Sequence, residues 1–150
     1  MNISDDYGAF LNTLLEAERA GAKLLSAYLD ELTPGSFMWN GMREVQLDES
    51  RNCSTLVHLL LEAEVTPTSA VGDFYERGLA IQAWRERLQF LNRGQAWVAT
   101  RLAAALPTVP ERARPALQAM LDSHVVNIGS CEALAGTQPL PASSNLTQTA

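Results

Sequence analysis

Four apolar-periodic stretches of the chain each carry one ionisable residue on the stripe expected to face inward: Glu18, Glu49, Glu86 and His124. An unpaired buried charge costs several kcal/mol and tends to neutralise, so a helical core excludes carboxylates unless something compensates them. Three inward carboxylates and an imidazole, one per helix, form the donor set of a metal site inside a four-helix bundle. Asn52 and Cys53 sit beside Glu49 and could add a neutral or a thiolate ligand, the thiolate favouring zinc or a softer ion. The competing expectation is a hydrogen-bonded polar network in which Arg87 or Arg93 pairs the buried glutamates. A third is a bundle centre that uses the same carboxylates against a cationic small molecule.

The elements that must position these residues are punctuated by Pro and Gly. The first segment runs from about Asp6 to Leu32, opened by Ser4-Asp5-Asp6 and stopped by Thr33-Pro34-Gly35. The second runs from about Asn40 to Glu64 and ends at Thr66-Pro67-Thr68. The third starts near Gly72 or Asp73 and reaches Leu106; Asn92-Arg93-Gly94 is a weak point inside it. The fourth spans about Pro110 to Ala135, with Pro115 dividing a short opening turn from the main helix. Alternating β-branched runs and hairpin turns are nearly absent, which predicts an all-α fold.

Faces follow from the spacing. In the first helix Leu11, Leu15, Ala22, Leu25, Leu29 and Leu32 form the apolar stripe and Glu18 falls on it. Glu16, Asn12, Arg19 and Lys23 share the side expected to be solvated. In the second, Glu49 and Asn52 fill a gap between Met42, Val45 and Leu56, Leu59, Leu60, while His58 lies on the charged face. The third helix offers two apolar faces. One holds Tyr75, Leu79, Gln82, Glu86 and Phe90, and the other Ile81, Trp84, Leu88, Leu91 and Gln95. The first of these puts Glu86 inward. Counted from the second turn, Glu49 and Glu86 would lie within about 2 Å of level if their helices are antiparallel neighbours. In the fourth helix His124 lies between Met120, Leu121 and Ile128, and Asp122 is exposed.

A chain of 150 residues with a formal charge of −6 is one domain, poorly suited to nucleic acid or an anionic membrane surface. The N-terminal sequence lacks a signal-peptide pattern and no stretch is apolar enough to span a bilayer, which predicts a cytoplasmic protein. Two cysteines, Cys53 and Cys131, exclude a disulfide framework and are read as small buried hydrophobes. The aromatic residues Trp39, Trp84, Trp97, Phe74, Tyr75 and Phe90 are expected in the core or at a dimer contact, and the two-faced third helix predicts a homo-oligomer. A Gly-rich phosphate loop, a nucleophile elbow and a Cys-x-x-Cys motif are all absent.

The segments LLEAERAGA, LDESRNC, ERLQFLNRGQAWV and MLDSHVVNI resemble a bacterial branch of the ferritin-like superfamily that has no assigned reaction. The resemblance covers about Leu11 to Ala135. In that superfamily four helices supply carboxylates, and two of them carry a Glu-x-x-His pair, together holding two iron or manganese ions. Glu18 matches the first-helix glutamate and Glu86 the third-helix one. Glu49-Ser50-Arg51-Asn52 matches the second-helix pair with Asn in place of His, and Leu121-Asp122-Ser123-His124 the fourth-helix pair with Leu in place of Glu. The resemblance implies a ferritin-like four-helix bundle over residues 1–135, and the Pro-, Ser-, Thr- and Asn-rich composition without apolar period predicts a flexible C-terminal tail over 136–150. The resemblance also implies one or two transition-metal ions, iron first, then manganese or zinc, and oxidoreductase-type chemistry with dioxygen or peroxide. The alternative is a non-catalytic structural or interaction bundle that keeps a degenerate site.

Overall fold

The computed structural model of the chain describes residues 3–136. In chain order the helices are α1 (Ile3–Leu29), α2 (Phe37–Glu62), the short α3 (Phe74–Leu79), α4 (Trp84–Ala105) and α5 (Arg114–Leu134). A 3-10 turn, Glu111–Ala113, leads into α5, where a proline occupies the first turn as expected. The described residues contain no strand element, in line with the all-α expectation. No described helix is long and apolar enough to cross a membrane. The tail expected over 136–150 lies outside the described residues apart from Gly136.

Several boundaries differ from the sequence expectation. Helix α1 begins at Ile3, so Asp5 and Asp6 fall in its first turn, where negative charge meets the positive end of the helix. Helix α2 begins at Phe37 rather than Asn40, because the Ser36 side chain accepts the Trp39 amide at 3.2 Å and caps it. Glu64, in the left-handed region at φ 60°, turns the chain at its other end. The third segment is not one helix: residues 80–83 separate α3 from α4. Side chains from outside the break hold it open. Tyr28, fully buried, donates to the Gly78 carbonyl at 2.7 Å, and Arg87 Nε donates to the Ile81 carbonyl at 2.8 Å. Backbone acceptors that would otherwise need helical partners are thereby satisfied. A Cβ at Gly78 would lie 2.4 Å from Leu24 Cδ2, a measure of how closely α3 is laid on α1.

The 63–83 connection decides the topology. It leaves the end of α2 beside the start of α1, where Val65 packs on Gly8, and then climbs along α1. Asn12 donates to the Thr66 carbonyl at 3.1 Å and accepts the Thr68 amide at 2.8 Å. Arg19 donates to the Thr68 carbonyl at 2.7 Å, and Lys23 sits 4.3 Å from the Tyr75 ring centre. The face of α1 expected to be solvated therefore clamps this crossover instead. Helix α4 starts at the end of the molecule where α2 started, so both run opposite to α1. Helix α5 returns alongside α1, with Arg112 near Glu62 at one end and Leu134 against Gly41 at the other. Neighbours α1–α2, α2–α5, α5–α4 and α4–α1 close a ring of four antiparallel pairs.

Two apolar clusters fill that ring. One gathers Leu24, Leu25, Tyr28, Met38, Met42, Leu88, Leu91 and Leu134. The other gathers Leu11, Leu14, Leu15, Leu56, Leu60, Val98, Leu102 and Leu117. On every long helix the residues between these clusters are polar and buried: Glu18, Glu49, Asn52, Gln95, His124 and Asn127. Tyr28→Phe removes the bond that anchors α3 and leaves the Gly78 carbonyl without it. The Gly78 carbonyl keeps the Ile81 amide, so a loss of about 0.5–1.5 kcal/mol is expected, read as a lower urea midpoint with an unchanged slope.

Candidate functional site

Spacing and registry assemble the polar layer. Glu49 and Asn52 are three residues apart on α2, as are His124 and Asn127 on α5, so each pair shares a face. Glu18, 1 % exposed, presents Oε1 to His124 Nε2 in a hydrogen-bonded contact and accepts Asn52 Nδ2 at 3.3 Å. Asn127 donates to Asp48 Oδ2 at 3.2 Å, tying α5 to α2. Gln95 Nε2 donates to Asn92 Oδ1 at 3.0 Å and reaches Cys131 Sγ at 3.6 Å; Asn92 in turn donates to the Ile128 carbonyl at 3.0 Å. The polar run 92–95, expected as a weak point, lies within an unbroken helix and stitches α4 to α5.

Glu49 rests against the backbone of α1. A Cβ built on Gly21 would lie 2.6 Å from its Oε2 and 2.7 Å from its Oε1, so glycine makes room for the carboxyl group. Burial, then the charges of Glu18 and Asp48, push the Glu49 carboxyl well above the usual carboxylate range and favour its protonated form. Cys53 is pushed up to about 12 by burial and by Glu18, so without a metal it is a thiol at neutral pH. Cys131 is likewise pushed up to about 12 by burial, against the opposing effect of its Gln95 bond.

Among the described residues, four buried side-chain atoms find no hydrogen-bond partner: Glu18 Oε2, Glu49 Oε2, Gln95 Oε1 and His124 Nδ1. Each comes from a different long helix. Buried polar atoms without partners are uncommon in folded proteins and call for a specific explanation. Three of the four belong to residues expected from the sequence.

Glu86 is the correction. It is exposed in the first turn of α4, and Gln95 occupies the inward position on that helix. The inward stripe of α4 is Leu88, Leu91, Gln95, Val98 and Leu102, the continuation of the alternative face. The crossover supplies the second reason: α2 and α4 run the same way, not antiparallel as the level comparison assumed. Glu49 is therefore roughly 18 Å along α2 from its start, but Glu86 only about 3 Å along α4 from the same end. Nor do the two arginines reach the central glutamates. Arg87 is buried but bonds Glu31 at 3.2 Å between the rings of Tyr28 and Trp84, and Arg93 is exposed over Phe90. His58 is exposed and paired with Glu62 at 2.7 Å, as expected.

The chemistry of the donor set suits one cation: two carboxyl groups, an imidazole and carboxamide oxygens, all hard or borderline donors. Among the described residues, no three His, Cys, Asp or Glu side chains stand close enough together to hold an ion by themselves. Glu18 and His124 meet, the charge of Glu18 is felt at Glu49, and Gln95 offers a neutral oxygen. A cavity of about 530 Å³ opens between α1, α3 and α4 and is lined at its buried end by Glu49 and Gln95.

The raised Glu49 carboxyl sets a pH dependence in metal-free protein. Its folded-state affinity for a proton exceeds that of the unfolded chain, so the folded state binds more protons between the two values and its stability falls as pH rises through that window. Glu49→Gln keeps the shape of the protonated acid and removes the titration. The stability of wild type relative to this variant is expected to drop as pH rises above the usual carboxylate range toward the raised Glu49 value, as followed by urea unfolding.

No curated protein and no solved structure matches the chain. A family model does match, over residues 5–133, nearly the whole of the described fold. The chain belongs to the family described as a domain of unknown function, DUF6306.

Proposed function

We propose that the chain is a ferritin-like bundle whose centre takes one divalent transition-metal ion, iron first and manganese or zinc next. Glu18, Glu49 and His124 are its ligands, and Gln95 stands where Glu86 was expected. The observation that carries this reading is that each long helix brings one buried polar atom without a partner within the protein to the layer between the two apolar clusters. The helix order supports it too, since ferritin-like bundles have a single long crossover. When bound with open positions, such an ion would supply activation of dioxygen or a peroxide. The residues of the chain orient and charge the site. Glu18 holds the His124 ring, Asn52 holds Glu18, and Glu49 would give up its proton when a cation arrives. The two free cysteines suit a reducing cytoplasm. The exposed Phe37, Val125 and Val126 are compatible with a homodimer.

Elemental analysis after anaerobic reconstitution with iron(II) is expected to find about one ion per chain. Calorimetric titration with cobalt(II) should give a saturable site that binds at least about tenfold more weakly in Glu49→Ala and in His124→Ala. Because Glu49 must lose a proton, affinity should rise with pH across the range in which metal-free stability falls. No bound metal, and no change on mutation, would overturn the reading.

A second reading has its own support: a buried polar network without metal, in a structural or interaction bundle. Glu18 already has His124 and Asn52, a protonated Glu49 carries no charge to compensate, and no ionisable trio is close enough for an ion. Under this reading Glu49→Gln is stable, folded and indistinguishable from wild type in any metal titration.

A further inference from the structure

The cavity between α1, α3 and α4 is apolar within and charged at its mouth. Phe74 and Phe90, stacked at 4.4 Å between centroids, form its walls with Trp97, Val71, Ala17 and Ala20. Gly94 lets Phe74 come close to α4, where a Cβ would lie 2.8 Å from its Cζ. Glu49 and Gln95 close the floor at 5 % and 2 % exposure, and their partnerless oxygens turn no surface toward it. Charge is therefore confined to the mouth, and there it is divided. Glu16 and Asp73 stand at the start of α3, with Glu16 Oε1 3.0 Å from where a Cβ on Gly72 would lie. Arg77 and Arg93 flank the Phe90 ring, their guanidinium carbons 5.5 and 5.7 Å from its centre, and both are exposed. Arg77 reaches Asp73 only at 3.8 Å, an exposed pair of little strength. Arg93 pairs with no acid among the described residues.

We propose that this cavity binds a monocarboxylate with a hydrocarbon body, its carboxylate held by Arg93 and Arg77 and its chain lying against Phe74, Phe90 and Trp97. The site is separate from the metal reading: it uses neither Glu18 nor His124, and Glu49 only as part of the floor. The arginines select the head group. A guanidinium presents its donors in a planar fork that matches the two oxygens of a carboxylate, whereas a hydroxyl brings no charge and an ammonium has no acceptor. Arg93 is free to make that pair, and a ligand carboxylate displaces the exposed Asp73 contact of Arg77 at little cost. The walls select the body, because aromatic and aliphatic surface binds hydrocarbon and repels a polar chain. A volume of about 530 Å³ is ordinary for a small-molecule pocket and takes a chain of medium length.

Octanoate is the probe, titrated calorimetrically into protein held metal-free with chelator, beside octanol and octylammonium. Saturable one-to-one binding of octanoate is expected, with octanol at least about threefold and octylammonium at least about tenfold weaker. Trp97 lines the cavity, so its fluorescence should change on binding, and Trp97→Phe should abolish that change. Arg93→Gln alters an exposed side chain and leaves the packing intact; it should weaken octanoate at least about threefold and leave octanol as it was, a split that a general loosening of the fold would not give. Ala17→Leu, which adds bulk from the half-buried α1 wall, should weaken octanoate and octanol alike. Octylammonium binding as tightly as octanoate, no octanoate binding at millimolar concentration, undiminished octanoate affinity in Arg93→Gln or an equal loss for octanol there, or full affinity in Ala17→Leu would each overturn the proposal. Because metal is excluded throughout, failure here leaves the cobalt and iron titrations to judge the metal reading separately.

Discussion

Everything in this fold is arranged around a layer of polar side chains that crosses the middle of a bundle otherwise filled with leucine. Each of its partnerless atoms costs about 1–3 kcal/mol in lost hydrogen bonding, so the layer is a standing expense against the two apolar clusters on either side. Such a layer also sets register. Glu18 meets His124 and Asn52 only when α1, α2 and α5 are aligned as they are; a slip of one turn would put leucine against carboxylate. Polar positions that fix alignment at a cost in stability are familiar from coiled coils. Here the alignment is set by side chains on three helices at once.

The crossover is the second determinant, and it acts through α1. Asn12, Arg19 and Lys23 recur every four to seven residues along one face and bind successive parts of residues 66–75, and Tyr28, on the buried side of the helix, binds Gly78. This strap returns the chain to the starting end of the molecule, makes α2 and α4 parallel, and so selects Gln95 rather than Glu86 for the interior. It also builds the outer wall of the cavity, because Phe74 on α3 is stacked on Phe90 of α4 and leans over Gly94. The same segment therefore chooses the fourth inward donor and shapes the approach to it.

Periodicity made the all-helical class and three of the four inward residues legible in the sequence. Glu18, Glu49 and His124 interrupt otherwise clean leucine stripes, and a stripe with one polar interruption is unambiguous. Glu86 failed because α4 has two apolar faces, and the choice between them depended on a helix direction that local spacing does not encode. Gln95 stood on the alternative face throughout, but an uncharged amide is a weaker signal than a carboxylate. Asn12 and Arg19 were read as solvated because their partners are backbone carbonyls and amides of an irregular segment, which leave no side-chain pattern to recognise. Asn127 was missed for a related reason: its partner, Asp48, lies on the face of α2 read as charged and external.

Replacing the expected glutamate of α4 with Gln95 changes the charge of the centre, and that bears on how many ions it can take. Two divalent ions bring four positive charges into a layer enclosed by hydrocarbon, and three glutamates would already leave part of that charge uncompensated. Among the described residues Glu18 and Glu49 are the buried carboxylates, and with Glu49 ionised they would bring two negative charges, which match one divalent ion. His124, Gln95 and Asn52 can complete coordination without altering the sum. The raised Glu49 carboxyl follows from the same count: without a cation, two buried carboxylates repel, and the proton on Glu49 is the smallest cation that relieves them. A proton on Glu49 and the proposed metal ion would thus be two answers to one electrostatic requirement, and Glu49 is the residue that distinguishes between them.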